Sequence, residues 1–184
     1  MLVHTIGHST RSLDELAALL RGAGVSVLAD IRTVPRSRHN PQFNADTLGA
    51  ALGERGIRYA PVAALGGLRR PRKDSPNAAW RNLSFRGYAD YMGTPEFEAG
   101  LDELRELAAH GSVALMCAEA VPWRCHRSLV ADVLTARGAD VRHIVSQAAP
   151  RPHKLTPFAK VARGRVSYPV TDTVSDTDPD IDTA

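Results

Sequence analysis

Short apolar runs alternate along this chain with longer stretches in which leucines recur every three or four positions. Residues 2–6, Leu-Val-His-Thr-Ile, form a run of strand length closed by Gly7. Ser12-Leu-Asp-Glu15 has capping-box spacing, and Leu13, Leu16, Leu19 and Leu20 make the apolar stripe of a helix that ends at Gly22 or Gly24. Val25–Asp30 reads as a strand buried on both faces, followed by a long loop from Ile31 to Phe43 that carries Pro35 and Pro41. Asn44 is placed to cap a helix from Ala45 to Arg55 that closes at Gly56, and Ile57–Val62 is a third strand. The stretch from Ala63 to Leu83 is rich in Gly, Pro and Arg and too long for a simple connection, which marks it as a functional loop. Helical patterning returns at Ser84–Met92 and again after Thr94-Pro95, where Phe97, Leu101, Leu104 and Leu107 supply the buried face. Ser112–Cys117 is a fourth strand, Cys125–Arg137 a helix closed by Gly138, and Val141–Val145 a fifth strand.

Strands that alternate with helices across short connections predict a parallel sheet, because parallel neighbours need a crossover. The expected class is α/β, a three-layer arrangement of a mainly parallel five-stranded sheet with helices on both faces. Right-handed crossovers leave a Rossmann-like order, 3-2-1-4-5, preferred here to the flavodoxin-like order 2-1-3-4-5. The domain is expected to span residues 1–150. Pro150, Pro152, Pro157 and Pro169 predict an irregular wrap over 151–171 rather than a second domain.

Composition narrows the class without naming a reaction. A chain of 184 residues suits one domain, and no apolar run approaches the roughly 20 residues of a membrane span. The start, Met1-Leu-Val-His-Thr-Ile, has neither a basic leader nor a cleavage pattern, so a soluble, cytoplasmic protein without membrane contact is expected. Two cysteines cannot form a disulfide framework for a chain of this size. The formal charge of +3 hides an asymmetry: Asp172, Asp176, Asp178, Asp180 and Asp182 crowd residues 172–184, and without them the chain carries +8. That acidic tail has too little apolar surface to offset its ordering entropy and is expected to be disordered.

The positive charge is not spread evenly. Ligands of such sheets bind at the carboxyl ends of the strands. The four segments expected there (7–11, 30–43, 62–83 and 118–127) hold 11 basic residues against three acidic ones. A cleft lined by one sign of charge concentrates counter-ionic ligands, so an anionic small molecule or a nucleic acid is the expected partner.

Four polar clusters fall at these strand ends. Gly7-His8-Ser9-Thr10 combines a glycine for a tight turn with hydroxyls and amides that can hold an oxyanion, and His8 can move a proton. Asp30-Ile31-Arg32 offers Asp30 either as a general base or as an ion-pair partner that orients Arg32 toward an anion. Leu65-Gly66-Gly67 opens the basic loop that carries Arg70 and Arg72, two further anion-binding candidates.

The fourth cluster runs from Cys117 through Glu119, Pro122, Arg124, Cys125 and His126 to Arg127. A thiol near a helix N-terminus or beside arginine has a lowered pKa, so Cys117 reads either as a nucleophile or as a small buried hydrophobe at a strand end. Glu119 is a second acid–base candidate; Cys125, His126 and Arg127 at the helix start are expected to bind the anion. Seven residues separate the cysteines, which matches no standard zinc pattern, so no metal is assigned from the sequence. Six residues separate Cys117 from Arg124, where a phosphatase-like or rhodanese-like loop needs five.

Taken together, Thr5-Ile6-Gly7-His8-Ser9, Asp30-Ile31-Arg32 with Pro35 and Ser37, Leu65-Gly66-Gly67, and Cys117-x-Glu119-x-x-Pro122-x-x-Cys125-His126-Arg127 resemble the family known as domain of unknown function 488. The resemblance extends from about Met1 to Ile144 and implies a cytoplasmic α/β domain, with loose links to DNA repair or mobile elements. It assigns no catalytic residue. The expected function is an enzyme, a hydrolase or transferase, acting on a nucleotide or a nucleic-acid end. The alternatives are a non-catalytic nucleic-acid binder, for which Trp80, Phe85, Tyr88 and Tyr91 near the basic loop could stack on bases, and a cysteine-based redox or metal sensor. No pattern names a cofactor or an oligomeric state.

Overall fold

A computed structural model describes residues 1–170 of the protein. The acidic tail at 172–184 lies outside the described residues.

Five parallel strands form the centre of the molecule: β1 (Leu2–Gly7), β2 (Val27–Asp30), β3 (Arg58–Pro61), β4 (Val113–Cys117) and β5 (Asp140–Ile144). A short sixth strand, β6 (Arg151–Pro152), adds antiparallel to β5. Among the described residues five helices surround the sheet: α1 (Leu13–Gly22), α2 (Ala45–Gly53), α3 (Leu83–Tyr91), α4 (Pro95–Ala109) and α5 (Arg127–Ala136). The fold is a three-layer α/β sandwich. Strand side chains alternate between two cores: Leu28, Ala114 and Met116 pack with Leu16, Leu20, Leu48 and Leu52 of α1 and α2. Val27, Ala29, Val113 and Leu115 pack with Leu101, Leu104, Leu129 and Val130 of α4 and α5 on the other face.

Local sequence explains the helix ends. Ser12 and Glu15 form the capping box of α1, and the Thr94 side chain caps α4 ahead of Pro95. Asn44 stands at the N-cap of α2 but makes no side-chain cap; its Oδ1 instead accepts from the Ser37 amide at 2.7 Å and pins the long loop. The helix expected from Cys125 starts two residues later, because Pro122–Arg124 first form a 3-10 turn.

The strand order is β3-β2-β4-β1-β5-β6, neither of the two expected orders. Here β4 lies between β1 and β2, pairing Val113 with both Val3 and Val27. Apolar patterning tells edge from interior, since β3 is largely exposed while β4 is buried at every position, but it cannot rank β1, β2 and β4 among themselves. The order has a functional consequence. The loop after β1 leads to α1 on one face and the loop after β4 leads to α5 on the other, so a crevice opens between adjacent strands at their carboxyl ends.

The segment expected as an irregular wrap contains β6 and a hairpin, β7 (Lys160–Ala162) with β8 (Arg165–Ser167), turning at Arg163-Gly164 with positive φ at both residues. A buried polar chain ties this segment to the core. Tyr168 donates its hydroxyl to Asp132 Oδ2 at 2.7 Å, the Thr156 amide donates to Oδ1 at 3.0 Å, and His153 Nε2 lies 2.8 Å from Oδ1. His153 Nδ1 meets His143 Nε2 at 2.9 Å, and His143 Nδ1 meets Thr5 Oγ1 at 2.7 Å. Burial and the neighbouring His153 push the His143 imidazole down to about 4, so it is neutral near pH 7. No helix among the described residues is long and apolar enough to cross a membrane.

Candidate functional site

At the switch between β1, β2 and β4 a cleft of about 430 Å³ is lined by His8, Ser9 and Thr10 after β1, Arg32, Arg36, Ser37 and Asn40 after β2, and Ala118–Ala120 after β4. Three neighbouring strand ends therefore contribute to one concavity.

The β1 and β4 loops hold each other in place. The His8 amide donates to Cys117 O and the Ser9 amide to Ala118 O, extending the strand pairing past Gly7. A Cβ on Gly7 would stand 1.7 Å from Glu119 O, so only glycine lets the two loops touch. Ser9 lies in the left-handed region at φ 50°, and the His8 Nδ1 contacts its carbonyl oxygen at 2.8 Å. His8 stacks on Phe43, and its Nε2 faces Arg32 Nη1 at 3.3 Å. Burial lowers its pKa, and the Arg32 charge adds to this against the opposing Ser9 carbonyl. Both His8 nitrogens are engaged in this arrangement.

Asp30 and Arg32 form a buried ion pair. Arg32 Nε and Nη2 reach Asp30 Oδ1 and Oδ2 at 2.9 and 2.6 Å, the Arg32 amide adds a bond to Oδ1, and the Tyr59 hydroxyl donates to Oδ2 at 2.7 Å. With its lone pairs directed at these donors, Asp30 acts as an orienting group rather than a free base. Arg32 Nη2 also donates to Phe43 O, which leaves Nη1 as the guanidinium nitrogen beside His8 and the cleft. Burial and the Asp30 carboxylate push the Tyr59 phenol up.

Further polarity comes from residues around this frame, where the Ser37 hydroxyl also accepts from the Asn40 main-chain amide at 3.1 Å. Arg36 is exposed, with only a 3.9 Å approach to Asp46, and Thr10, Ser37, Asn40 and the exposed Glu119 complete the cleft. Arg36, Ser37 and Asn40 were not among the sequence candidates. Ser37 stands in the family motif and Arg36 among the basic residues at the strand ends, while Asn40 had only the polarity of the β2 loop as a signal.

Arg127 is only 1% exposed and does not line the cleft. Its Nη1 and Nη2 donate to the carbonyls of Glu119 and Ala120, and its Nε has no hydrogen-bond partner among the described residues. It holds the β4 loop from beneath. Arg72 pairs with Asp74, and its amide donates to Asp90; neither it nor the exposed Arg70 lines the cleft. Trp80, Phe85, Tyr88 and Tyr91 pack in or against the core, with Trp80 stacked on Phe85 and Arg69 lying over the Tyr91 ring.

Behind the cleft wall lie Cys117, Cys125 and His126. The cysteines are buried and the histidine half-buried, and none of the three lines the cleft. His126 Nδ1 is 3.9 Å from the Cys117 sulfur and 3.6 Å from the Cys125 sulfur, while its Nε2 meets Ile31 O at 3.0 Å. The Cys125 thiol and the His126 ring hold the Cys117 thiol well below its usual range, overcoming the opposing effect of burial. Burial and the adjacent Cys117 push the Cys125 thiol up. Gly67 passes over the imidazole so closely that a Cβ there would stand 2.9 Å from Nδ1.

Of the expected residues, the fold thus gathers His8, Ser9, Arg32 and Glu119 around the cleft, with Gly7 and Asp30 supporting them. It gathers Cys117, Cys125 and His126 behind the wall, buries Arg127 in the support, and sets Arg70 and Arg72 apart. The model of one protein family, described as domain of unknown function DUF488, matches residues 12–134. The chain belongs to this family. The match is narrower than the expected Met1–Ile144 and leaves the His8 motif outside it. No curated protein and no solved structure matches the chain.

Proposed function

We propose that this member of the domain of unknown function DUF488 family is an enzyme, a hydrolase or group transferase, that acts on a phosphate-bearing substrate such as a nucleotide or a nucleic-acid end. The observation that carries the reading is the cleft at the strand switch, where Arg36 joins the hydroxyls of Ser9, Thr10 and Ser37 and the Asn40 amide around one carboxylate, Glu119. Those are donors suited to phosphate oxygens, and the exposed Glu119 is placed to exchange a proton with a leaving group or a water. Arg32 adds its Nη1 from below, fixed by Asp30. Exposed Val34, in the cleft lining after β2, offers apolar surface for the organic part of the substrate.

Thermal shift with inorganic phosphate, mononucleotides and a short 5′-phosphorylated oligonucleotide tests the reading. At least one phosphate-bearing compound raises the wild-type melting temperature, as a ligand of the native state must. Arg36→Ala removes that rise without lowering the unliganded melting temperature, because Arg36 is exposed. Glu119→Gln keeps the rise and loses turnover of the compound found. No shift with any phosphate-bearing compound, or an equal shift in Arg36→Ala, overturns the proposal.

A further inference from the structure

The three side chains behind the cleft wall are a chemical group of their own. Sequence spacing argued against a metal because seven residues separate the cysteines. The fold removes that objection: Cys117 ends a central strand, and the 3-10 turn at Pro122–Arg124 brings the chain back so that Cys125 and His126 stand beside it at the start of α5. The two sulfurs and His126 Nδ1 all lie within 4.8 Å of one another.

We propose that Cys117, Cys125 and His126 bind one zinc-class divalent ion through two thiolates and the imidazole Nδ1, with a fourth position open to water or an anionic ligand. Zinc–sulfur bonds of about 2.3 Å and zinc–nitrogen bonds of about 2.0 Å in a tetrahedron set sulfur–nitrogen edges of about 3.5 Å. The sulfur–nitrogen edges here are 3.9 and 3.6 Å and the two sulfurs lie within 4.8 Å of each other, so small side-chain movements close the three ligands on an ion.

Three further features match a metal rather than a free thiol pair. The Ile31 carbonyl fixes the imidazole with its proton on Nε2, which leaves the Nδ1 lone pair facing both sulfurs, the outer-shell arrangement that orients a ligating histidine. The Arg127 N–H lies 3.5 Å from the sulfur of Cys125, two residues before it in the chain. Such an N–H donor supports sulfur that remains negatively charged, as metal-bound thiolate does. Finally, both sulfurs are buried and neither lines the cleft, so a substrate in the cleft does not meet a cysteine nucleophile. A disulfide between them would give the oriented imidazole nothing to do. Two thiolates with one imidazole select zinc among the common divalent ions, and the three-ligand set is that of a metal with an exchangeable position. The proposal stands on residues other than those of the anion cleft and does not rest on that reading.

The test uses the full chain, stripped with a chelator under reductant and titrated with Co(II), then Zn(II). One equivalent of cobalt gives thiolate-to-cobalt charge-transfer absorption and the visible bands of a tetrahedral site, and one equivalent of zinc removes both. The chain contains only two cysteines, so the charge-transfer band reports on this site alone. Cys117→Ser and Cys125→Ser lower cobalt affinity by more than the roughly 10–100-fold that loss of an outer-shell partner costs, and His126→Ala does the same. If the variants do not fold, the wild-type titration and the protection of its two thiols from Ellman's reagent by zinc decide the matter. Octahedral cobalt bands, thiols equally reactive with and without zinc, or a reductant-sensitive Cys117–Cys125 disulfide with no metal uptake each overturn the proposal. An unchanged cobalt spectrum in Arg36→Ala separates this outcome from that of the cleft.

Discussion

Asp132 is the anchor of the segment after β5, and replacing it with Ala is a sharp test of how that segment is held. The carboxylate is fully buried and accepts from three donors: Tyr168 O–H, Thr156 N–H and His153 Nε2. Hydrogen bonds to a charged acceptor contribute about 1.5–3 kcal/mol each, and a donor left buried without a partner costs about 1–3 kcal/mol. The sum is not reached, because a water can enter the space the carboxylate vacates. A net loss of about 3–5 kcal/mol is therefore expected, the range for breaking a buried charged contact. With a urea slope of about 2 kcal/mol per molar, the unfolding midpoint falls by about 1.5–2.5 M. Asp132→Asn keeps one oxygen acceptor and loses about 1–3 kcal/mol, since its amide then faces a donor. Hydrogen exchange should localise the effect, with residues 151–168 losing protection ahead of β1 and β4. A midpoint shift below about 0.5 M in Asp132→Ala, or unchanged protection of that segment, would refute the anchoring argument.

Two further outcomes follow from the buried groups. His143 titrates near 4 when folded and near 6.5 when unfolded, so the unfolded chain takes up the proton first; stability is full above about pH 6.5 and falls by up to about 3 kcal/mol as the pH drops toward 4. His4 and His8 are lowered too and steepen the same slope, which urea midpoints between pH 7.5 and 4.5 will show; a flat profile would contradict it. Gly7→Ala places a methyl group 1.7 Å from Glu119 O and should abolish soluble expression or cost at least about 4 kcal/mol, and a variant within 1 kcal/mol of wild type by urea titration would rule out the close approach.

Much of the architecture is legible in the chain because its elements are locally self-consistent. Ser12-x-x-Glu15 announces α1, Thr94-Pro95 announces α4, and the unbroken apolar Val113–Cys117 announces a central strand. What is not legible depends on long-range geometry. The position of β4 between β1 and β2 follows from which strands meet, and three comparably apolar strands carry no mark of their neighbours. Arg127 and Arg32 look alike in sequence, yet one is consumed by two carbonyls and the other by a carboxylate. Asn44 looks like a cap and serves the Ser37 amide instead. The Cys117–His126 juxtaposition could not be read from spacing rules, which describe knuckles and short loops; here a strand end and a helix start supply the two halves.

The strand order also has a cost in time. β2 and β3 find each other across about 30 residues, but β1 has no neighbour until β4 is made, about 110 residues later. At roughly 5–20 residues per second, β1 waits on the order of 5–20 s with its apolar Val3 and Ile6 unpaired. Pairings of such sequence separation are slow to close even in the finished chain, since loop entropy must be spent before any contact rewards it. An interior strand is thus synthesised long before its partners and is among the last to be satisfied. Chaperone engagement at the ribosome should concentrate on residues 2–7 until residues 113–117 have cleared the exit tunnel.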